Sequence, residues 1–257
     1  MEFQNINFQV QDRIARITFA RPPLNIFNIA MMREIGAALN DCAGRRDLTA
    51  IVFDSAPGTR AFSAGVAVEE HVADTVFRML DSFHSIFRVL NQISKPVVAV
   101  VDGPALGGGC ELVAACDIVI ATERARFGQP EIKLGVFPPV AAVILPRIIG
   151  EKKAREMILL GEIVDADEAL RLGLVNYVVP SGELSQQTEA LLAKLSELSS
   201  VSLQFTRSAL DLGRNSDFES ALTDIENLYL NELMKTEDAT EGVQSFMEKR
   251  KPEWRNK

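Results

Sequence analysis

The fold is decided by residues 95–131, which read KPVVAVVDGPALGGGCELVAACDIVIATERARFGQPE. The apolar, largely β-branched run Val97–Val101 predicts a buried strand bounded by Pro96 and Gly103. Three further glycines follow, and a helical pattern then begins at Cys110. A glycine run of this kind lets the backbone pass very close to another group and leaves N–H groups free at the helix N-terminus. The stretch therefore predicts a strand, a tight glycine loop and a helix in succession.

Two glutamates accompany this unit. Glu111 lies just inside an otherwise apolar helix, and Glu131 follows twenty positions later in the turn-rich segment FGQPE. A helix N-terminus favours negative charge, including charge that develops only during a reaction. Free N–H groups and two carboxylates beside one strand indicate acid/base chemistry on a carbonyl substrate. On the residues alone, tight helix–strand packing with Glu111 as an ordinary acidic residue of a first turn explains the pattern equally well.

Two well-known phosphate-binding glycine loops do not fit this run. A dinucleotide-binding fingerprint requires G-x-G-x-x-G, but after Gly107 and Gly109 the third position is Leu112. A Walker A loop requires Gly-Lys-Ser/Thr, whereas Gly109 is followed by Cys110. The glycine run is therefore not predicted to bind a dinucleotide or a nucleoside triphosphate.

Composition excludes several classes of protein. The 257 residues suit one large domain or a domain with a helical appendage, and 27 basic against 35 acidic residues give a net charge of −8. An acidic chain argues against nucleic acid as a partner. Three cysteines without a CxxC pair, together with two histidines, predict neither a disulfide framework nor a metal site. The polar start of the chain and the lack of a long apolar run predict no membrane span and a cytoplasmic protein.

Strands and helices alternate along the first two thirds of the chain, which indicates an α/β architecture. Strands are predicted at 13–19, 50–53, 97–101 and 174–179, and helices after the N-cap Asn28, over 72–92, from 110, over 152–160 and over 165–172. From Glu183 onward only helical patterns occur. We therefore predict a core over 1–195 and a helical region over 196–257. The apolar positions between Leu222 and Leu233 form a face that a small helical region cannot bury alone.

Four separated motifs together resemble the enoyl-CoA hydratase/isomerase (crotonase) family. They are AFSAG at 61–65, ALGGGCELVAACDIVIA at 105–121, FGQPEIKLG at 127–135 and FMEKRKP at 246–252. The resemblance covers essentially the whole chain. It implies the crotonase fold, a ClpP-like spiral of ββα units, followed by a C-terminal helical trimerisation region. It also implies a homotrimer or a hexamer built as a dimer of trimers.

The resemblance also implies the catalytic groups. The backbone N–H groups of Val66 and Gly108 would form an oxyanion hole, and Glu111 and Glu131 would be the catalytic carboxyls. The implied function is that of a hydro-lyase, which adds water to a conjugated enoyl-CoA thioester or removes it. The chain departs from many relatives at Ala67, where they carry aspartate. This departure weakens isomerase and hydrolase activities that use an acid from that loop.

Coenzyme A is expected as part of the substrate. By resemblance, Ala64, Phe246 and Lys249 would bind it, the last two often from a neighbouring subunit. A lysine is suited to this role because coenzyme A carries phosphates. We expect no metal and no redox cofactor.

The identity of the acyl group is predicted from three short sequence segments. They are PLNI at 23–26, FSAGV at 62–66 with Glu70 and His71, and VFPP at 136–139. These segments look most like those of the alicyclic dienoyl-CoA hydratases of aromatic degradation. These enzymes act on cyclohexa-1,5-diene-1-carbonyl-CoA. The apolar run 138–145 is expected to form a dry, rigid floor of the acyl pocket. The alternatives are a general fatty-acid 2-enoyl-CoA hydratase, an enoyl-CoA isomerase, and a non-catalytic relative that binds acyl-CoA or RNA.

A serine nucleophile is disfavoured. Ser63 lies in the AFSAG motif, but a nucleophilic serine requires a positioned base. No motif pairs His71 or His84 with an aspartate. His84 is expected to be a packed or surface residue of a helix.

Overall fold

The structure is a computed structural model that describes residues 3–214 and 217–257. The strands are β1 Ile6–Gln11, β2 Ile14–Phe19, β3 Ala50–Ser55, β4 Val97–Val101, β5 Pro104–Leu106, β6 Ile118–Thr122, β7 Arg126–Gly128, β8 Ile163–Asp165 and β9 Tyr177–Val179. The helices are α1 Ile29–Ala43, α2 Val76–Gln92, α3 Gly108–Ala114, α4 Pro139–Ile149, α5 Glu151–Leu160, α6 Ala166–Arg171, α7 Leu184–Ser196, α8 Ser200–Leu212, α9 Phe218–Asn231 and α10 Glu237–Glu248. None of the helices among the described residues is long and apolar enough to cross a membrane.

Two sheets organise the core, and the prediction of an α/β fold is confirmed. The larger sheet has the strand order β1-β2-β3-β4-β6-β9, in which only the β1–β2 pair is antiparallel. The smaller sheet has the order β5-β7-β8. Strand β5 follows β4 immediately, so the chain leaves the large sheet and enters the small one at Asp102 and Gly103. The glycine loop and α3 therefore lie where the two sheets meet.

Both faces of the large sheet are covered, which explains its continuous apolar strands. One face packs against α1, α2 and α3 in a cluster that includes Phe19, Phe27 and Phe62. The other face carries Val52 and Val98, which pack against leucines of α7. An apolar strand such as β4 is stable only when both of its faces are shielded from water. Helix α7 covers the second face of the sheet.

Strand β1 was not predicted. The predicted strand 13–19 begins at Ile14, because Asp12 and Arg13 form the two-residue turn of a hairpin with β1. Their φ angles of 50° and 68° are those of a turn whose twist matches the twist of paired strands. Strand β1 lies at the edge of the sheet and buries only one of its faces. The alternation of Ile6, Phe8 and Val10 with polar residues is the sequence signal that would have indicated this strand.

Other elements also differ from the prediction. Helix α2 begins at Val76 rather than at residue 72, and β9 begins at Tyr177 rather than at residue 174. Helix α4 was not predicted; two adjacent prolines stand at its start, Pro138 as the N-cap residue and Pro139 as the first helical residue. Pro139 stands at the first helical position, where a missing N–H has no intrahelical partner to lose.

The predicted boundary near residue 195 falls at the end of α7. Beyond it the chain is helical up to residue 248 within the described residues. Helix α8 is fastened to the core by Arg207, which forms an ion pair with Asp117 at 2.8 Å. Helix α9 leaves Leu230 and Tyr229 more than half exposed. On the apolar face predicted between Leu222 and Leu233, Leu222 and Tyr229 are exposed, whereas Ile225, Leu228 and Leu233 are half-buried. This face is therefore only partly covered within one chain.

Candidate active site

A cavity of about 340 Å³ lies at the N-terminus of α3. Four segments line it: the loop 64–71, one face of α2, the glycine loop with the start of α3, and the segment 130–139. Among the described lining residues, only His71, Glu111 and Glu131 have polar side chains. The cavity therefore combines an apolar wall with a small set of ionisable groups, as small-molecule sites commonly do.

Two loops approach each other closely at one side of the cavity. Gly65 has a φ of +104°, and a Cβ at this position would lie 3.1 Å from the carbonyl oxygen of Leu106 and 3.6 Å from the nitrogen of Gly108. Gly108 in turn lies against the Val66 side chain, since a Cβ at Gly108 would be 2.8 Å from Cγ2 of Val66. The loop 63–66 and the glycine loop 107–109 thus form one compact corner.

Two backbone N–H groups, those of Val66 and Gly108, belong to residues that line the cavity at this corner. The carbonyl of Gly65 accepts a hydrogen bond from Phe27 N–H at 2.8 Å, and the carbonyl of Gly107 accepts one from Glu111 N–H at 2.9 Å. In a trans peptide the C=O and N–H point in opposite directions, so the N–H groups of Val66 and Gly108 point away from these partners. Within the described part of the chain neither N–H has an acceptor.

Glu111 lies in the first turn of α3 and is buried. One carboxyl oxygen, Oε1, accepts a hydrogen bond from the N–H of Ala141 at 2.7 Å, in the first turn of α4. Burial raises the pKa of Glu111 to about 8, and the nearby charge of Glu131 acts in the same direction. Hydrogen bonds from the Ala141 and Val140 N–H groups oppose this rise. Helix α4 therefore holds the Glu111 carboxyl in place without making it a strong acid.

Glu131 follows Pro130 at the start of a short 3-10 helix, Pro130–Leu134. Its carboxyl packs on the glycine loop, because a Cβ at Gly107 would lie 2.5 Å from its Oε1 atom. Its Oε2 atom is buried and has no hydrogen-bond partner among the described residues. Burial raises the pKa of Glu131 to about 7. This carboxyl is thus free to bind a group that enters the cavity.

The pKa values of both carboxyls lie near neutral pH. Their pKa values of about 8 and about 7 lie close together, and the interaction between the two groups couples their titrations. Around neutral pH the singly protonated pair is therefore well populated. Such a pair has one carboxylate that accepts a proton and one carboxyl that donates a proton, which is the requirement for acid/base catalysis.

The comparisons with known proteins agree with this geometry. The model of the enoyl-CoA hydratase/isomerase family matches residues 9–257. The chain belongs to this family. It is 36% identical over 261 residues to a probable enoyl-CoA hydratase of Mycobacterium tuberculosis, with 99% of each chain covered. It is 35% identical over 249 residues to a cyclohexa-1,5-dienecarbonyl-CoA hydratase of Thauera aromatica, with 95% of this chain and 93% of that protein covered.

A solved structure supports the same assignment. The fold matches that of an enoyl-CoA hydratase from Mycobacterium smegmatis with a TM-score of 0.92 at 31% identity, covering 98% of this chain and 99% of that one. The crotonase fold expected from the sequence motifs is therefore confirmed.

The residues expected to bind coenzyme A are divided between two places. Ala64 lines the cavity. Phe246 lies near the end of α10 with 86% of its surface exposed, and Lys249 is the C-cap residue of that helix. Neither of these two residues lines the cavity of its own chain. The structure of one chain thus brings together Ala64, Val66, Gly108, Glu111 and Glu131, but not the two C-terminal residues.

The expected pocket floor requires a correction. Within the run 138–145, Pro138 and Pro139 line the cavity, as do the preceding Val136 and Phe137. Residues 140–145 do not line it, because they form α4 and their side chains are distributed around the helix. What α4 contributes to the site is its N-terminal N–H groups. A Pro-Pro pair followed by apolar residues is the sequence signal that would have indicated this helix.

Ser63 and the two histidines are not arranged as a nucleophile and its base. The Ser63 hydroxyl donates a hydrogen bond to the carbonyl of Asn25 at 2.8 Å. His71 has its Nδ1 atom 2.9 Å from the carbonyl oxygen of Ala67, so this nitrogen carries the proton. His84 is a half-buried residue of α2, as expected, and does not line the cavity.

The raised pKa of Glu111 predicts a pH-dependent stability. The folded-state pKa of about 8 exceeds the ordinary value of 4.5, so the folded protein holds a proton that the unfolded chain has already released. This stabilisation is complete below pH 4.5 and is lost as the pH rises through about 8. Glutamine does not titrate. The unmodified protein therefore loses stability between pH 5 and pH 8.5 that the glutamine variant does not lose. We expect the difference in Tm, Glu111→Gln minus unmodified protein, to increase by at least about 4 °C over this range. Calorimetry at both pH values checks this, and an unchanged difference in Tm would contradict the raised pKa.

Proposed function

We propose that this enoyl-CoA hydratase-type enzyme adds water to a conjugated alicyclic dienoyl-CoA, such as cyclohexa-1,5-diene-1-carbonyl-CoA, or catalyses the reverse dehydration. One observation carries the proposal: a single apolar cavity is lined by two residues whose N–H groups have no acceptor among the described residues, and by two carboxyls of raised pKa. Each pair serves one part of the reaction. The N–H groups bind the thioester oxygen, and the carboxyls handle the water and the proton.

The oxyanion site lowers the barrier by stabilising charge. When water attacks the conjugated double bond, negative charge develops on the thioester oxygen. The N–H groups of Val66 and Gly108 donate hydrogen bonds to that oxygen, and the N-terminus of α3 adds a favourable dipole. A preorganised donor of this kind contributes about 3 kcal/mol to the stability of the transition state.

The two carboxyls carry out the proton transfers of the reaction. One of them, as carboxylate, accepts a proton from the attacking water, and the other, protonated, delivers a proton to the α-carbon, so that water is added across the conjugated double bond. The Glu111 carboxyl accepts a hydrogen bond from Ala141 N–H, whereas Oε2 of Glu131 has no hydrogen-bond partner in the part of the chain that the structure describes. Coenzyme A takes part only as the carrier of the acyl group, and the mechanism requires no metal and no redox cofactor. An isomerase needs a single acid/base residue and no bound water, so the presence of two buried carboxyls favours hydration.

The cyclic substrate is proposed from the shape of the cavity. Pro138 and Pro139 restrict the backbone on one side, and Val136 and Phe137 add apolar surface next to them. A planar ring fits a preformed slot and needs little further ordering, whereas a linear enoyl group loses rotational freedom when it enters the same slot. The similarity to a relative named for the cyclic dienoyl-CoA supports the same choice.

This proposal predicts a measurable substrate preference. We expect kcat/KM to be at least about tenfold higher for cyclohexa-1,5-diene-1-carbonyl-CoA than for crotonyl-CoA. The difference corresponds to about 1.4 kcal/mol of transition-state binding. Steady-state kinetics with both thioesters measures it. Equal values, or a preference for crotonyl-CoA, would place the protein among the general fatty-acid enoyl-CoA hydratases.

We further propose that the protein is a homotrimer or a dimer of trimers. Leu230 is 63% exposed and Tyr229 is 53% exposed on α9, and a second copy of the chain would remove this apolar surface from water. Light scattering at micromolar concentration is expected to give a mass of three or six chains. A monomer under these conditions would refute the proposal.

A further inference from the structure

The hydroxyl of Ser63 forms hydrogen bonds at the corner where the loop 63–66 meets the glycine loop 107–109. Ser63 is completely buried. Its hydroxyl donates a hydrogen bond to the carbonyl of Asn25 at 2.8 Å and accepts one from the N–H of Gly65 at 3.1 Å. Both bonds are formed by one oxygen atom, so the hydroxyl links the loop around Asn25 to the N–H of Gly65, the residue that precedes Val66.

The backbone of Ser63 is hydrogen-bonded to β5, the strand that leads into the glycine loop 107–109. The Ser63 carbonyl accepts a hydrogen bond from Leu106 N–H at 2.9 Å, and the Ser63 N–H donates one to Pro104 at 3.3 Å. Its carbonyl carbon and Cβ also lie close to Gly109, which has no room for a side chain there. Ser63 thus lies between the segment that carries Val66 and the loop that carries Gly108.

The orientation of the Val66 N–H depends on two neighbouring peptides. The carbonyl of Gly65 is fixed by Phe27, as described above. The other end of Gly65 is fixed by the Ser63 hydroxyl, which holds the Gly65 N–H while this residue adopts a φ of +104°. A glycine in this conformation has many alternative backbone states, so a hydrogen bond at its N–H restricts the direction of the next peptide.

We propose that Ser63 is a positioning residue, whose hydroxyl aims the Val66 N–H at the thioester oxygen. The proposal rests on the proposed function, because it assumes that the two N–H groups bind a thioester carbonyl. It does not make Ser63 a nucleophile, since its only hydroxyl proton is bound to the Asn25 carbonyl. The role is to preserve alignment, and small misalignments of catalytic groups have large effects on rate.

The test uses a thioester that binds but cannot be hydrated. Butyryl-CoA labelled with 13C at the thioester carbonyl is bound to the full-length protein, and the carbonyl stretching band is recorded by infrared difference spectroscopy. Hydrogen bonds from an oxyanion hole lower this frequency. We expect Ser63→Ala to shift the band back toward its value in solution, to reduce kcat about tenfold and to change KM less than about threefold.

A matched control separates positioning from general destabilisation. Ser200 is also completely buried, and its hydroxyl donates to the carbonyl of Arg46, remote from the cavity. Ser200→Ala is expected to leave the band and kcat unchanged. Ser63→Cys keeps a weak donor and acceptor at the same place and is expected to give an intermediate band. It also serves as the test variant if Ser63→Ala does not fold.

Three results would be decisive against parts of this account. A band and a kcat in Ser63→Ala and Ser63→Cys that match those of Ser200→Ala would overturn the positioning role. An unmodified protein that binds butyryl-CoA without any lowering of the band would overturn it as well. An unmodified protein that shows the lowered band but hydrates no enoyl-CoA would refute the proposed function, while the variants would still decide the role of Ser63.

Discussion

Replacing Glu111 or Glu131 with glutamine is expected to lower kcat at least about a hundredfold while leaving the affinity for acyl-CoA mostly intact. An amide has nearly the shape of a carboxyl group but neither accepts nor delivers a proton. General acid/base catalysis typically contributes between a hundredfold and ten-thousandfold. Hydration of purified enoyl-CoA measures kcat, and titration with butyryl-CoA measures binding separately.

Glu34→Gln is a suitable control for these variants. The Glu34 carboxylate also accepts hydrogen bonds from backbone N–H groups, those of Gln4 and Asn5, but it does not line the cavity. We expect it to retain normal kcat. Near-normal hydration by either Glu111→Gln or Glu131→Gln would show that the two-carboxyl mechanism is wrong.

Gly107→Ala is expected to lower kcat at least about fiftyfold. A Cβ at this position would lie 2.5 Å from Oε1 of Glu131, which is inside van der Waals contact. The side chain of Glu131 can move away, so the protein is expected to fold. The movement displaces the carboxyl from its place in the cavity, and a displacement of about 1 Å can reduce the rate about a hundredfold.

Gly58→Ala separates this displacement from backbone strain. Gly58 has a φ of +89°, compared with +51° for Gly107, and both angles disfavour alanine. A Cβ at Gly58 would meet no atom within 4 Å. Gly58→Ala is therefore expected to reduce stability slightly and to keep kcat. If Gly107→Ala retains the kcat of Gly58→Ala, the packing of Glu131 on the glycine loop is not required for catalysis.

Local signals account for the parts of the fold that could be predicted. The buried strand Val97–Val101 was recognised from its apolar, β-branched composition, and the structure places β4 over the same residues. The predicted N-cap is also present, since the Asn28 side chain accepts a hydrogen bond from Met31 N–H. Each of these features depends on residues within four positions of one another, which is why single-sequence patterns reveal them.

The features that escaped prediction depend on distant residues. Ala141 N–H meets Glu111 across thirty positions, and Ile29 N–H binds the Glu70 carboxylate across forty-one. No local pattern specifies such a partner, because it is set by how the elements pack. The two glutamates themselves could be named from the family motifs. Their raised pKa values could not, because these result from burial that only the folded chain produces.

The most direct test of the central claim is the hydration of enoyl thioesters by the unmodified protein and by Glu131→Gln. Crotonyl-CoA and cyclohexa-1,5-diene-1-carbonyl-CoA are each incubated with both proteins, and loss of the conjugated double bond is followed together with the appearance of the hydroxyacyl-CoA. We expect turnover of at least the cyclic thioester by the unmodified protein and a loss of at least about a hundredfold in the variant. Turnover of neither thioester, or equal turnover by both proteins, would contradict it.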